Sequence, residues 1–564
     1  MPTRGLMTSA VSDAIPDGYS PNCLNVRFRY NQIVRTPGRT LAQQTTNNTL
    51  DWFHYTSAAG YEGWGALQYD PTGSGLNNFF APLEASTYDG ISPGDHLTFP
   101  TAIAPSILFW SSAGSHGAAR FSWAGGEDRV FVVRNSHVTA LKMANLNIWG
   151  AVEIQDGAHP IDDPTNPGTQ ISPISPVARF VEYFNNRVFV MNQQDFRMRI
   201  QWSMRSNYTN WGTVPDADGN PTGGWLDLYD GPTVEPLTGG RVLGDRLVVY
   251  RKSSITDIVA TGDDVSPFLP EGKSYGIGLL APYTLQSVGQ FHIFLANDYN
   301  VYMWDGSRLT PIGTPIHNYL RQGLGLTPLD RSPYSIFGAV FPAFKEYWLV
   351  IPYSNDPTLP ANETTMVLVY DYLRDTWTRD SIKGLTALYE LTTPGRNGTA
   401  GFFGQDFPPL YPTLYAANDK DYFQIDERVD GNRYERPTDG GVEMYVDTPD
   451  LYFDPNSGLL NSTLSRVMVS QTTPTNRTAS EKAPFSVEAS IDRGQTFPAA
   501  VEVTPEIERW GFEFTDFNLT SNVRRYRFHY KATDGAGHPS WRSYTETSLP
   551  AGEFFPVERP VGST

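Results

Sequence analysis

The chain of 564 residues has a single cysteine, Cys23, so it cannot close an internal disulfide. Nothing in it requires an oxidising compartment. Charge is scarce as well. Asp, Glu, Lys and Arg make up 18% of the residues, against 40% hydrophobic ones, the balance of a globular chain rather than a disordered one. Acids outnumber bases 60 to 42, which leaves a formal charge of −18 with no acidic tail. Such a surface repels nucleic acid instead of gripping it. That argues against a DNA-binding protein and leaves room for one that DNA slides past. No apolar run approaches the roughly 20 residues of a membrane helix, so membrane insertion is not expected. The opening MPTRGLMTSAVSDAIPDG lacks the apolar core of a signal peptide. The sequons at Asn397, Asn461 and Asn476 therefore carry no weight.

Signatures of catalysis are also missing. The nine histidines are scattered, with no HExxH and no pair at i,i+4. One cysteine excludes a cysteine zinc site. Asp162–Asp163 and Asp263–Asp264 lack calcium-loop spacing and read as exposed acidic turns. Gly272-Lys273-Ser274 resembles the end of a phosphate-binding loop, but the glycine required five residues earlier is Pro267. There is no G-x-S-x-G elbow, and Cys23 reads as an inert or buried thiol. The expectation is a protein that is not an enzyme, with no cofactor, metal or catalytic residue.

What the chain does have is aromatics and turn formers: 30 Tyr, 31 Phe, 50 Gly and 44 Pro. Together they favour strands joined by tight turns. Helical patterns are scarce. The best, TPIHNYLRQGLG, puts Ile316, Tyr319 and Leu320 on one face of a short helix that Gly323 could stop. One strand pattern recurs as Arg129-VFVV, Arg187-VFVM, Arg246-LVVY, His292-IFLA and Tyr347-WLVI, at spacings of 58, 59, 46 and 55. Several copies are followed by a second strand and a Trp: Trp211, Trp304 and Trp377. Repeats of about 40–50 residues with several strands each are the mark of a β-propeller. Trp at a blade end would fill the gap between blades. The fold class expected is all-β: a β-propeller of about five to seven blades over 126–430, then an antiparallel β-sandwich over 431–564. The alternative for the repeats is an ordinary sandwich with coincidental spacing.

Near residue 430, ERVDGNRYERPTDGG reads as a linker or long turn. Beyond it VEMYVDT, SRVMVSQ, FSVEASI, AAVEVTP and VRRYRFHY alternate with period two, as sandwich strands do. Residues 1–40 read as an N-terminal arm with a first strand. Residues 41–125 read as long loops, either functional or docked on a neighbour. The arm carries Arg27, Arg29, Arg35 and Arg39 within 13 residues. They are either a partner-docking set or an outward-facing set on a strand, since Arg27 and Arg29 alternate with Val26 and Phe28. Residues 490–497 read SIDRGQTF. Ser490, Asp492, Gly494 and Phe497 suit a structural hairpin turn, with Asp accepting local N–H bonds, Gly at positive φ and the aromatic packed beneath. This segment resembles the Asp-box of sialidase-type propellers. A single copy outside the repeats does not make a glycosidase.

Three stretches resemble tail tubular or nozzle proteins, of the stabilisation type, of short-tailed phages. The first is VSDAIPDGYSPNCLNVRFRYNQIVRTPGRT, where Asp13, Ala14, Pro16, Gly18, Asn25, Val26, Pro37 and Gly38 match, while Asn31 and Thr36 replace the usual Gly and Arg. The second, RVLGDRLVVYRKSSITDIV through WDGSRLTPIG, matches at Ser254, Ile255, Gly278, Ala281, Pro282 and Gly306 and departs at Thr284 and Leu285. The third is the 490–497 turn. The resemblance implies a non-catalytic virion tail component, assembled in the host cytoplasm. It implies a ring, typically hexameric, below portal and adaptor proteins, with other tail proteins as neighbours. Genomic DNA would pass through it without specific binding. Rival readings are a carbohydrate- or receptor-binding tail protein, using Trp52, Tyr55, Tyr61 and Trp64, and a non-viral propeller scaffold.

Overall fold

The structure is a computed structural model. It describes residues 4–8, 18–29, 120–126, 175–212, 223–229, 234–263, 266–321, 334–352, 365–382, 384–392, 443–452 and 485–503, together with the other strands named below. The protein is all-β, with antiparallel sheets throughout. It divides into two compact units.

The larger unit is Thr40–Leu373 with Ile382–Asp426. Among its described residues, seven larger antiparallel sheets follow one another along the chain, with a two-stranded one, Ile161–Asp162 and Gln170–Ile171, between the second and third. Each is a meander, in which sequence neighbours are also spatial neighbours. The first runs Asn48–Thr56, Glu62–Tyr69, Asn78–Leu83, Ile107–Leu108. The second is Ser122–Gly126, Arg129–Val133, Thr139–Asn145, Ile148–Glu153. The third is Ala178–Phe184, Arg187–Gln193, Arg199–Trp202, Gly224–Asp227. The fourth is Leu237–Leu243, Arg246–Arg251, Ser254–Ala260, Phe268–Tyr275. The fifth is Gln286–Val288, Phe291–Leu295, Val301–Trp304, Leu309–Pro311. The sixth has Phe337–Phe341, Glu346–Pro352 and Thr365–Asp371 within this unit. The seventh is Leu385–Thr392, Pro412–Asn418, Asp421–Asp426, and its last strand is Gly38–Gln44 from near the N-terminus.

The leading strand of each sheet packs against that of the next, and the seventh packs against the first. Core clusters lie between neighbouring sheets. Phe131, Val181, Val188 and Trp211 belong to the second and third sheets. Phe189, Trp202, Leu247 and Phe268 belong to the third and fourth, with Phe268 edge-on to Phe189 and Trp202. Leu243, Tyr250, Phe294 and Trp304 join the fourth and fifth. A four-stranded sheet buried on both faces must put apolar residues at successive positions. The second strands do this: Arg187–Gln193 is buried at all seven positions. Turns between strands use residues that tolerate positive φ, such as Asn185 and Asn186 before Arg187. The short helix is His317–Arg321, with Ile316, Tyr319 and Leu320 buried as their shared face requires.

The smaller unit is Met1–Arg39, Arg374–Ser381 and Glu427–Thr564. One sheet runs Cys23–Leu24, Glu443–Asp447, Val523–Lys531, Phe485–Ser490, Ala499–Val503. The other runs Val26–Arg29, Gln32–Arg35, Trp541–Pro550, Ser462–Gln471, Phe512–Ser521. Buried residues alternate with period two, as at Phe485, Val487 and Ala489 and at Tyr526, Phe528 and Tyr530. The N-terminal segment is thus a structural part of both sheets. Cys23 is buried, and burial pushes its thiol up to about 12.

Residues 41–125, which read as loops, include the described strands of the first sheet and the entry to Ser122–Gly126. Residues 1–40 carry the strands Cys23–Leu24, Val26–Arg29 and Gln32–Arg35. The linker at 427–441 lies outside the described residues.

Candidate functional site

The larger unit carries a partly open cavity of about 400 Å³ lined by residues from the leading strands of all seven sheets or from the segments entering them. That is the size of a small-molecule site, typically about 300–1,000 Å³. Its charged lining residues are Asp51, Arg120, Arg241 and Glu390. Its aromatic walls include Trp123 and Tyr389, with ring centroids 6.5 Å apart.

Arg120 enters just before Ser122–Gly126 and is held from three directions. Its backbone carbonyl accepts a bond from Tyr283 Oη at 2.7 Å. Its Nη1 donates to Thr386 O at 2.6 Å. Its guanidinium carbon lies 3.7 Å from the centre of the Phe337 ring. Burial lowers its pKa, and the nearby Asp51 carboxylate works in the opposite direction. Arg241 is only loosely paired, 3.7 Å from Glu182 Oε2. Burial raises the Glu182 pKa, while Arg241 and the Tyr183 N–H lower it. Burial also carries Glu390 up to about 6, against the Ala343 N–H and Lys345. Ser122 Oγ accepts from the Val181 N–H at 3.1 Å. Among the described residues no histidine lines the cavity. The site therefore offers donors, acceptors and ring faces for binding.

Among the described residues no group of three or more His, Cys, Asp or Glu is placed to hold a metal ion. None of their helices is long and apolar enough to cross a membrane.

Of the cavity's residues, sequence reasoning named only Pro282 and Leu285, as motif positions and not as a site. The lining residues stand on leading strands or the segments entering them, whereas the recurring pattern marks second strands. Arg120-Phe121-Ser122-Trp123 ahead of the Arg129 pattern was the available signal. The candidate arginines go elsewhere. Arg27 is buried in the smaller unit and bonds both oxygens of Asp380, at 2.8 and 2.7 Å. A guanidinium so enclosed cannot dock a partner, so the docking reading does not apply to it. Arg29 is half-buried on the same strand. Arg35 and Arg39 lie on strands, but their side chains are outside the described residues, as are those of Trp52, Tyr55, Tyr61 and Trp64.

The 490–497 segment is a closed turn. Ser490 Oγ donates to Asp492 Oδ1 at 2.6 Å and accepts from the Gly494 N–H at 2.8 Å. Asp492 Oδ1 accepts from the Thr496 N–H at 2.9 Å. Gly494 has φ +81°, and Phe497 stacks beneath the Arg527 guanidinium at 4.1 Å. Bonds from Ser490 and Thr496 hold the Asp492 carboxyl down at about 2. These contacts are internal to the turn and its neighbouring strand.

The same unit holds a pH-sensitive cluster. His529 Nε2 lies 2.9 Å from Glu443 Oε1, and Nδ1 lies 3.2 Å from Glu488 Oε1. The two carboxylates favour the imidazolium and raise its pKa to about 9. An unfolded His titrates near ~6.5, so the extra stability is fully present below that pH and is lost as pH rises through about 9. Because solvent reaches part of the ring, the effect is up to about 2 kcal/mol. Urea unfolding across this pH range should show the decline in the native protein and a flatter profile in His529→Gln. Equal pH slopes would show that the carboxylates do not hold the proton.

No family model matches the chain, and no curated protein matches it. Solved structures give remote likenesses. One is PorZ, a surface component of the type-IX secretion system of Porphyromonas gingivalis, at 12% identity and a TM-score of 0.22, covering 62% of this chain and 43% of that one. Another is the extracellular domain of a hybrid two-component system from B. thetaiotaomicron, at 9% and 0.27, covering 72% and 64%. A third is a glycoside hydrolase, at 9% and 0.24, covering 91% and 100%. The chain thus spans less than two thirds of the first two. Likenesses this remote carry no argument about activity.

Proposed function

We propose that this protein is a non-catalytic structural subunit of the tail of a short-tailed phage, of the tubular or nozzle kind. In this reading the larger unit is a seven-bladed β-propeller and the smaller one an antiparallel β-sandwich. Support for the propeller comes from the seven successive meanders, the packing of each leading strand on the next, and the return of the seventh to the first. The last meander takes its final strand, Gly38–Gln44, from near the other end of the chain, which is how a circular array is fastened. The tail assignment is carried by the order of the three stretches that resemble nozzle proteins.

The motif positions have structural reasons to be what they are. Asn25 has φ +53°, and its side chain bonds Glu443 O and the Ser381 N–H. A Cβ on Gly278 would strike the backbone of Arg251 and Ser254. DNA would not pass through the larger unit itself. A cavity of about 400 Å³ is of small-molecule size, and one DNA major groove alone is about 12 Å wide. The conduit would lie between copies of the chain in a hexameric ring, where a charge of −18 per copy would keep DNA from sticking.

A receptor-binding reading has one observation in its favour. Phe196, Trp225 and Tyr229 are exposed together, with Arg199 at 3.9 Å from both the Phe196 and Trp225 ring centres. Light scattering and imaging of the purified protein separate the two. A ring with a central channel, near six times 62.8 kDa, is expected. A monomer that binds host polysaccharide would overturn the tail-tube reading.

A further inference from the structure

Arg120 has more donor capacity than the protein uses. A guanidinium carries five N–H donors. Among the described residues Arg120 makes one side-chain hydrogen bond, to Thr386 O, and covers one face with Phe337. It is only 6% exposed, and the accessible space beside it is the cavity. An acceptor is left over too: Glu390 Oε2 is buried and has no hydrogen-bond partner. Buried polar atoms are nearly always paired, so Glu390 Oε2 marks a place for a ligand or water, and Arg120 holds donors toward the same space. Arg241, loosely paired at 3.7 Å, adds a second cation to the wall. Ser287 adds an exposed hydroxyl, and Trp123 and Tyr389 add ring surface.

We propose that the cavity at the leading strands binds a small hydroxylated carboxylate, a sugar acid of monosaccharide size. Its carboxylate pairs with Arg120, as a planar anion matches a guanidinium fork. A ligand hydroxyl donates to Glu390 Oε2. The ring body lies against the aromatic wall, as apolar faces of sugars do on Trp and Tyr. The carboxyl-bearing wall disfavours multiply charged anions, since Asp51 and Glu390 repel a second negative charge. The site does not depend on a role in a tail: it rests on the cavity alone.

The test is calorimetry on the full chain with glucuronate as probe and with glucose and acetate as controls. Glucuronate should bind more tightly than either control. Arg120→Gln should weaken it by at least about tenfold, the worth of a charge-assisted hydrogen bond. Ser287→Trp, which fills the cavity from an exposed position, should weaken it similarly without disturbing the core. If Arg120→Gln fails to fold, Ser287→Trp decides. Absence of glucuronate binding at millimolar concentration would overturn the proposal. So would binding no tighter than glucose or acetate, or binding unchanged in Ser287→Trp.

Discussion

Asp380→Ala is expected to destabilise the smaller unit by about 3–5 kcal/mol, the usual cost of removing one partner from a buried ion pair. The Arg27 side chain is 3% exposed and that of Asp380 is not exposed at all. Asp380 accepts both Arg27 bonds and a third from Thr36 Oγ1 at 3.0 Å. Its loss leaves a buried guanidinium without this anion, although Val26 O and a long 3.4 Å contact to Thr378 Oγ1 stay in reach. The same pair ties the N-terminal strand Val26–Arg29 to the segment 374–381, so its loss should loosen that strand first. Urea unfolding with hydrogen exchange on Val26–Arg29 reads both effects. The double variant Arg27→Met, Asp380→Leu should recover most of the loss, because it removes both charges and keeps the volume. A cost below about 1 kcal/mol for Asp380→Ala would mean that water reaches the pair and screens it.

That pair also shows where sequence reading stops. Arg27 and Arg29 alternate with Val26 and Phe28, and period two alone puts the arginines on the opposite face from the apolar pair. It does not say whether that face meets water or protein. Asp380, more than three hundred positions away, decides it, and no local pattern announces the pairing. The repeat was better written. The five copies at Arg129, Arg187, Arg246, His292 and Tyr347 fall on the second strands of the second to sixth sheets. Those strands are covered on both sides, so each carries a near-continuous apolar run. The first and seventh sheets escape the pattern because their second strands, EGWGALQY and PTLYAAN, use small residues where the others use Val, Ile and Phe. Hence 41–125 reads as loop. The cavity was illegible for a related reason. Its lining comes from seven separate strands, one or a few residues from each, and Arg120 or Glu390 alone looks like any surface charge.

Trp304→Ala should cost about 3–5 kcal/mol, the range for emptying a buried aromatic site. Trp304 is 2% exposed at the end of Val301–Trp304 and packs in the cluster with Leu243, Val248, Tyr250 and Phe294. Those residues belong to the fourth and fifth sheets, so the indole holds two sheets together. Its Nε1 is buried with no hydrogen-bond partner. Two opposing terms follow: a large apolar gain, and a penalty of about 1–3 kcal/mol for the unpaired N–H. Trp304→Phe keeps most of the first and removes the second, so its net cost should stay below about 1.5 kcal/mol. Thermal unfolding of the two variants measures the gap. Equal losses would show that the N–H is satisfied by ordered water. Hydrogen exchange adds the spatial readout: with Ala, protection should fall in Arg246–Arg251 and Phe291–Leu295 and hold in Leu385–Thr392. If sheets stack only through their neighbours, damage at one gap falls off along the series with distance. Uniform loss across all sheets would instead mean that the larger unit unfolds as a single cooperative block, with each gap between sheets required for every other.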